Sequence, residues 1–386
     1  MTGLSFPRSR APMVSLIVVT FNALDWTKRS LAASLEHTET EYELIVIDNA
    51  SSDGTRAFLR QHVHNATLVF NERNLGFGVA ANQGADRARA PVLVFLNSDL
   101  LVTAGWLGPL MTRLRNDPRA GAVGPRILSM DHRLDHAGAL LAYDGSTHHY
   151  GSGDDPSRVE YLFPRECDYV TGACMAVRTR LFRELGGFDP WFQIAYFEDT
   201  DFCLRLAQAG HAVVYEPASV VLHEGGASST KETTQELLRV NHPRFHHRWR
   251  TVLDHRPRSP LAGRPERAIA ARDVTASGTV LLLCDDPAST RALAMSLLAG
   301  SPRLRITIAC RRAHPELDEI LRFGIELVIA PSHDWFAARR FHYDVAAGSD
   351  PALDAMVAAT QPQAVRLTGA ELPGNLPGAL AAAGIA

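Results

Sequence analysis

The chain has 386 residues, of which 46% are apolar and 21% charged, and its formal net charge is −3. This is the composition of a globular protein, and it excludes disordered, collagen-like, coiled-coil and disulfide-scaffold classes. Because acidic residues slightly outnumber basic ones, no overall basic field attracts nucleic acid, and we expect no nucleic-acid partner. The length allows two domains or one large one.

The apolar runs are too short to cross a membrane. The longest, such as 14–21 and 92–96, fall far below the roughly 18–20 residues that span a bilayer. No apolar core follows the basic N-terminal residues, as a secretion signal would require. The five cysteines include no CxxC pair, which indicates buried thiols rather than disulfides or zinc ligands. We expect a cytoplasmic protein.

Short β-rich runs alternate with helical stretches from Met13 onward. The predicted strands are 14–21, 42–48, 66–70, 91–96 and 166–177, and the predicted helices are 26–36, 199–209 and two that begin near 55 and 77. Continuous apolar strands alternating with helices predict an α/β fold with a mostly parallel sheet. Between about 121 and 155 the pattern loosens into turns rich in Gly, Asp and His. We expect this domain to span 13–250, after a polar tail at 1–12.

A shift in composition separates a second domain. Residues 241–273 contain eight Arg and four His against three acids, with four prolines interspersed. Proline-rich segments resist helix and sheet, so a basic linker is predicted at 251–275. Strands are then predicted at 279–284, 305–309, 326–329, 344–347 and 364–367. This renewed alternation predicts a smaller, Rossmann-like α/β domain over 276–386.

Polar clusters follow several predicted strands, where ligands bind in an open parallel sheet. The first, Asp48-Asn-Ala-Ser-Ser-Asp-Gly-Thr, could accept hydrogen bonds from a base or ribose, but turns and helix caps use the same residue types. The second contains Gly76-x-Gly78-x-x-Ala81, which is similar to the dinucleotide-binding fingerprint. That fingerprint normally follows the first strand of its unit, whereas this one follows the third.

Three further clusters carry acids or histidine. Asn97-Ser98-Asp99 ends the fourth strand, where oxygen ligands could hold a divalent cation or an Asp could simply cap the turn. Glu198, Asp199 and Asp201 precede an amphipathic helix, where acids favour a helix N-terminus or serve as a general base. His223 follows a strand and could complete a metal site with Asp99, or be structural.

In this order and spacing, these clusters resemble the family 2 glycosyltransferases of the GT-A fold, above all rhamnosyltransferase-like members that build surface polysaccharides. The segments that carry the resemblance are VSLIVVTFN, VIDNASSDGT, NLGFGVAANQG, FLNSD, TGACMAVR, LGGFD, FEDTDFCLR and VVLHEGGAS. Together they cover roughly residues 13–250. The second domain resembles the N-terminal half of a GT-B transferase.

The resemblance implies an inverting, metal-dependent transfer of a sugar from a nucleotide-diphospho-sugar to a hydroxyl of a saccharide or lipid-linked acceptor. Asp99 would be the main ligand of Mg²⁺ or Mn²⁺, helped by His223 and by Asn97, which stands where the family has a first Asp. Asp199 matches the catalytic base, Glu198 would assist it, and Asp201 would lie on the acceptor side. The implied nucleotide contacts are Thr20, Asn22, Asp48, Asn74, Gly76 and Ser98.

Two other functions stay open. An NAD-dependent oxidoreductase would depend on the Gly76 motif alone, and would leave the acids at 198–201 and His223 unexplained. A non-catalytic protein that binds nucleotide-sugars is the other alternative, because a fold does not guarantee activity. The basic stretch 244–272 faces either solvent as a linker or an anionic lipid acceptor at the inner face of a membrane.

Overall fold

The computed structural model describes residues 3–227, 230–261, 263–368 and 378–385. Met1 and Thr2 of the predicted tail, Ser228 of the motif around His223, and residues 369–377 and 386 of the predicted second domain lie outside this range. The chain divides into two compact units. The first comprises residues 1–156 and 166–255, and the second comprises 157–165 and 256–386.

The elements before residue 256 alternate between strands and helices. The strands are β1 (Leu4–Ser5), β2 (Val14–Thr20), β3 (Tyr42–Asp48), β4 (Val63–His64), β5 (Thr67–Phe70), β6 (Val92–Asn97), β7 (Leu100–Val102), β8 (Ala120–Ser129), β9 (Leu134–His136), β10 (Ala139–Leu141), β11 (Thr147–His149), β12 (Arg165–Glu166), β13 (Cys174–Arg178) and β14 (Ala212–His223). The helices are α1 (Leu24–His37), α2 (Thr55–His62), α3 (Phe77–Arg87), α4 (Leu107–Asn116), α5 (Thr179–Glu184), α6 (Glu198–Gln208) and α7 (Lys231–Leu253), with a 3₁₀ turn at Val159–Tyr161.

The central sheet of the first unit is mostly parallel, as predicted. From β14 to β5 its order is β14-β8-β13-β6-β2-β3-β5, and only β13 runs antiparallel to its neighbours on this path. The strands β2 and β3 are nearly continuous in apolar residues because both faces of the sheet are covered by other elements. Thr20 pairs in register with Asp48, and Val19 with Asn97. The carboxyl ends of β2, β3 and β6 therefore lie side by side.

The second unit contains a smaller, fully parallel sheet. Its elements are α8 (Pro265–Arg272), β15 (Gly278–Cys284), α9 (Pro287–Gly300), β16 (Leu304–Cys310), β17 (Glu326–Ile329), α10 (His333–Ala337), β18 (Val345–Gly348), α11 (Pro351–Thr360) and β19 (Val365–Thr368), with 3₁₀ turns at Pro315–Leu317 and Ile320–Phe323. The strand order is β17-β16-β15-β18-β19. Counted within the unit this is 3-2-1-4-5, the order of a doubly wound Rossmann sheet, which confirms the predicted fold class.

Three stretches differ from the sequence-based expectations. The predicted polar tail is attached to the fold, because β1 pairs with β4 and Phe6 is only 2% exposed. The predicted linker is structured: α7 continues to Leu253 through an internal proline, and α8 ends at the buried Arg272. Of the predicted strand 166–177, only the two ends are strand, because the backbone between them turns toward the cavity described below.

Candidate active site

A cavity of about 460 Å³ lies at the carboxyl ends of β2 and β6 in the first unit. Several chain segments converge on it: the turn after β6, the chain between β12 and β13, the start of α6, the end of β14 and the side of α7. Its polar lining residues are Asn49, Asn74, Asn97, Ser98, Asp99, Thr147, His149, Tyr169, Thr171, Tyr196, Glu198, Asp199, Thr200, His223 and Thr233. Asp99, His223 and the acid pair Glu198 and Asp199 therefore reach one space from distant parts of the chain.

Asp99 and His223 lie together in this cavity. Asp99 sits in the turn between β6 and β7, and His223 ends β14, which pairs with β7. The Oδ1 atom of Asp99 is 3.3 Å from the Nε2 atom of His223. The other oxygen of Asp99 accepts a hydrogen bond from the Ala227 amide at 3.3 Å. Both side chains are thus fixed at the strand ends by backbone pairing.

Asp99 and His223 each stabilise the charged form of the other. Burial would lower the pKa of His223, but the carboxylates of Asp135 and Asp99 on either side outweigh it and raise the pKa to about 9. Burial would likewise raise the pKa of Asp99, but the interaction with His223 and the Ala227 amide hold it below its ordinary value. At neutral pH, His223 is therefore protonated unless a cation displaces the proton.

The residues around this pair fit a divalent cation. Within the ranges that the structure describes, the buried Nε2 of His223 has no hydrogen-bond partner, although it lies 3.3 Å from Oδ1 of Asp99. A carboxylate oxygen, an imidazole nitrogen and the side chain of Asn97 are donors that suit Mg²⁺ or Mn²⁺. Among the described residues, no three His, Cys, Asp or Glu side chains are grouped closely enough to hold a metal ion by themselves. The amide of Asn97 and groups of a ligand would complete such a site.

The acid pair opens α6 on another part of the lining. Asp199 accepts hydrogen bonds from the amide of Gly172 at 2.9 Å, from the amide of Thr200 at 2.6 Å and from the Thr200 hydroxyl at 3.1 Å. Burial nevertheless dominates and raises its pKa above the ordinary value. The neighbouring Glu198 is 5% exposed, and its Oε2 atom finds no hydrogen-bond partner in the described part of the chain. Burial and the charge of Asp199 raise the pKa of Glu198 well above its usual range.

The loop before this pair has an unusual backbone. Ile194, Tyr196 and Phe197 all have positive φ angles, of 67°, 75° and 73°. Such conformations persist only where the surroundings fix them. Asn241 on α7, which is fully buried, donates hydrogen bonds to the carbonyls of Gln193, Ala195 and Tyr196 at 3.1, 2.9 and 3.3 Å. The helix α7 therefore shapes the loop that leads into Glu198 and Asp199.

The structure changes the expected role of Asp201. Its carboxylate is fully buried and does not line the cavity. It accepts hydrogen bonds from Arg205 at 2.8 Å, Arg248 at 2.9 Å and the Trp249 indole at 3.0 Å. The sequence does not show that Asp201 differs from Glu198 and Asp199 in this way, because its partners Arg248 and Trp249 lie on α7, nearly fifty residues away. The carboxylate of Asp201 thus connects α6 to α7 away from the cavity lining, and its place on the acceptor side stays a prediction.

The expected nucleotide contacts divide into two groups. Asn74 and Ser98 line the cavity, whereas Thr20, Asn22, Asp48 and Gly76 do not. Thr20 is fully buried against the Thr27 hydroxyl at 2.9 Å, and Asn22 accepts a hydrogen bond from the Ser52 amide at 2.8 Å. Asp48 is also fully buried and forms an ion pair with Arg56 at 2.9 Å.

The glycine-rich turn at Gly76 cannot cradle a phosphate as it stands. The amides of Leu75, Gly76 and Phe77 donate hydrogen bonds to Asn49, Asn74 and the carbonyl of Ile194 at 3.0, 2.8 and 2.6 Å. A pyrophosphate would have to bind these same backbone amides, which already donate to other groups. Gly76 is therefore a packing residue, which removes the observation behind the NAD-dependent alternative.

Sequence reasoning missed several cavity residues. Asn49 directly follows β3, while Thr147 and His149 come from β11 and Tyr169 from the chain after β12. Asp135 on β9 touches both His149 and His223. For Asp135, Thr147 and His149, the sequence offers only a run of turns rich in Gly, Asp and His between 121 and 155. This segment has no hydrophobic periodicity from which the positions of its side chains could be predicted.

The basic stretch is largely engaged in internal contacts. Arg272 is fully buried against Asp273 at 2.6 Å, Arg248 bonds to Asp189 and Asp201, and Arg244 donates to the Trp191 carbonyl. Arg250, Arg258 and Arg264 stay exposed. Among the described residues, no helix has the length and apolar character needed to cross a membrane.

The first unit is an α/β domain with an open, mostly parallel sheet. Acids and a carboxylate–imidazole pair lie at the carboxyl ends of its strands, where ligands bind in such sheets. Residues 15–186 match the sequence model of Glycosyl transferase family 2, so this part of the chain is similar to that family. The groups Glu198, Asp199 and His223 lie beyond the matched residues, although they share the cavity with Asp99.

Three curated relatives are also similar to this chain. The N-acetylglucosaminyl-diphospho-decaprenol L-rhamnosyltransferase of Mycobacterium tuberculosis is 29% identical over 247 residues, which cover 58% of this chain and 80% of that protein. The O-antigen biosynthesis protein RfbC of Myxococcus xanthus is 28% identical over 240 residues, 60% of this chain and 19% of RfbC. The uncharacterized protein y4gI of Sinorhizobium fredii is 27% identical over 242 residues, 60% of this chain and 26% of y4gI. The chain thus spans only a fraction of two of these three relatives.

Proposed function

We propose that the first unit is an inverting glycosyltransferase that moves a sugar from a nucleotide-diphospho-sugar to an acceptor hydroxyl. The observation that carries the proposal is the presence of two chemically distinct centres in one cavity. The pair of Asp99 and His223 suits a cation and a diphosphate, and the buried Asp199 suits a general base. The family match and the named relatives support the same class of reaction.

The donor would bind with its diphosphate toward Asp99. Asp99, His223 and Asn97 would hold Mg²⁺ or Mn²⁺, which neutralises the charge that develops on the departing nucleoside diphosphate. The polar side chains of Asn74 and Ser98 lie on the same lining and would contact the nucleotide part. Thr20 and Asp48 are fully buried at the ends of β2 and β3, and their contact with the nucleotide stays a prediction.

Asp199 would act on the acceptor. Its carboxylate takes the proton from the acceptor hydroxyl while that oxygen attacks the anomeric carbon, and the bond from this carbon to the diphosphate oxygen breaks. Because this is one displacement, the anomeric configuration inverts and no covalent intermediate forms. The hydrogen bonds from Gly172 and Thr200 keep the carboxylate oriented. General-base assistance of this kind is worth about 10²–10⁴-fold in rate.

We propose a saccharide or lipid-linked saccharide as acceptor. The name of the mycobacterial relative specifies an acceptor with a sugar on a polyprenyl diphosphate. Peripheral membrane association and a cytoplasmic location belong to the same proposal, and the exposed Arg250, Arg258 and Arg264 support the membrane association alone. Sedimentation with anionic liposomes tests the association: salt-sensitive binding is expected, and no binding at low salt contradicts it.

The experiment for the reaction compares Asp199→Asn with the unaltered protein. The variant should lose transfer from the nucleotide-sugar that the protein binds, with donor affinity within about twofold of wild type, because an amide cannot take the proton. Loss of nucleotide affinity in this variant would contradict the role as base. A protein that binds nucleotide-sugars without transferring them would show no turnover to lose, and would support the non-catalytic alternative.

A further inference from the structure

The carboxylate of Asp135 holds both imidazoles that line the cavity. Its Oδ1 atom is 3.4 Å from Nδ1 of His149, and its Oδ2 atom is 3.5 Å from Nδ1 of His223. In each ring the contacted atom is Nδ1, so both Nε2 atoms are left for other partners. A single side chain from the irregular segment between 121 and 155 thus connects two walls of the site.

The position of Asp135 is fixed by the sheet. It lies at the centre of β9, which pairs antiparallel with β8, so that His136 and Leu134 flank it in register with Ile127 and Leu128. The ring of the neighbouring His136 packs edge-on against His149 at 4.4 Å between centroids. The side chain of Asp135 is 26% exposed and those of its two partners are 43% and 15% exposed.

The contact with His223 sits on the side of the ring away from Asp99. Asp99 approaches Nε2 and Asp135 approaches Nδ1. Since the two ring nitrogens point in different directions, Asp135 cannot share a ligand with Nε2, and it acts through the orientation of the imidazole. A carboxylate bound to the far nitrogen of a ligating histidine is a common way to fix that ring.

We propose that Asp135 is a positioning residue, which turns His223 so that its Nε2 atom faces Asp99 and the cation, and which ties His149 into the same wall. This inference depends on the proposed function, since it assumes that the pair of Asp99 and His223 binds a divalent cation. It assigns a role to a segment outside the motifs of the family resemblance.

The test is calorimetric titration of the full chain with Mn²⁺ alone. We expect Asp135→Asn to weaken Mn²⁺ binding by about 10–100-fold, as is typical when the outer partner of a ligating histidine is lost. The matched control is Asp131→Asn, since Asp131 is 66% exposed in the turn before β9 and its contacts are with the nearby Ser129 and Arg133. Its Mn²⁺ affinity should equal that of wild type.

A double-mutant cycle separates positioning from simple loss of charge. In a His223→Gln background, Asp135→Asn should have no further effect on Mn²⁺ affinity, because the ring it orients is gone. A full effect in that background, or none in the single variant, would overturn the inference. If Asp135→Asn destabilises the fold, Asp135→Ser provides a second variant.

Asp99→Ala distinguishes this inference from the proposed function. If Asp99→Ala leaves Mn²⁺ binding unchanged, the proposed cation site itself fails. If Asp99→Ala abolishes binding while Asp135→Asn leaves it intact, only the positioning role of Asp135 fails.

Discussion

Gly76 and Ile194 are in backbone contact. A Cβ atom placed on Gly76 would lie 2.6 Å from both the Cα and the carbonyl oxygen of Ile194, and the Phe77 amide donates to that same oxygen at 2.6 Å. Ile194 has a positive φ of 67° and lines the cavity four residues before Glu198. The glycine is thus required for the loop that leads into the acid pair.

Gly76→Ala should therefore damage both fold and site. Alanine at φ 86° and ψ 163°, a region that essentially only glycine occupies, costs about 1–3 kcal/mol on backbone grounds alone, and its methyl group meets backbone that cannot move aside. We expect lower stability in chemical unfolding and a loss of transfer. The matched control is Gly108→Ala in α4, where no atom lies within 4 Å of the added Cβ. That variant should gain up to about 1 kcal/mol, and equal behaviour of the two would contradict the packing role.

Asn241→Ala should slow transfer more than it weakens donor binding. It removes three hydrogen bonds from a loop with positive φ angles, at a cost in stability of about 1–3 kcal/mol or more. The acids then lose their fixed position, whereas the region around Asp99 is unaffected. Measured kcat should fall while the affinity for nucleoside diphosphate stays near that of wild type.

The side-chain amide of Asn82, which is partly buried, provides the control for Asn241. Asn82 bonds to the backbone of Phe188 at 2.8 and 2.9 Å and does not line the cavity. Asn82→Ala should lose comparable stability with kcat close to wild type. If both variants lose kcat equally, Asn241 has a general structural role and no specific one.

Asp201→Asn should lower stability without changing acceptor recognition. The buried carboxylate pairs with Arg205 and Arg248, and breaking such a buried pair costs about 3–5 kcal/mol. Denaturant unfolding should show this loss, while the KM for acceptor in the fraction that stays folded is unchanged. A raised KM with unaltered stability would restore the acceptor-side role that the sequence suggested.

The rate of transfer should fall on acidification. Asp199 must be ionised to accept a proton, and burial raises its pKa above the ordinary 3.8, although bonds from Gly172 and Thr200 oppose the shift. As pH falls through this raised pKa, the carboxylate is protonated and kcat decreases. A pH profile of kcat should place the acidic limb above 3.8, and a limb at or below that value would contradict the buried base.

Local signals in the sequence predicted the sheet and the acids well. Apolar strands such as β2 and β15 form where expected, and Asp99 and His223 meet because β6 and β14 end at one edge of the sheet. Asp199 reaches the same cavity from the start of α6. The surroundings of Asp201 and Gly76 were not predicted, because the residues they contact are far away along the chain. The anchor of Asp201 is Trp249, and Gly76 packs on Ile194, contacts that no spacing along the chain reveals.

The same limit applies to Asp48 and Asp135. Asp48 resembles a base-binding carboxylate, but Arg56 on the next helix neutralises it. Asp135 lies in a segment without periodicity, so only the pairing of β9 with β8 shows that it reaches His149 and His223.

The most direct measurement is calorimetric binding of UDP, dTDP, GDP, CDP and NAD⁺, each with and without Mn²⁺, to the full chain and to Asp99→Ala. We expect one nucleoside diphosphate to bind in a Mn²⁺-dependent way, and Asp99→Ala to abolish this dependence. That base would also restrict the donor to sugars carried on it. Binding of NAD⁺ alone, or nucleotide binding that is indifferent to Mn²⁺ and to Asp99, would contradict a metal-assisted glycosyltransferase.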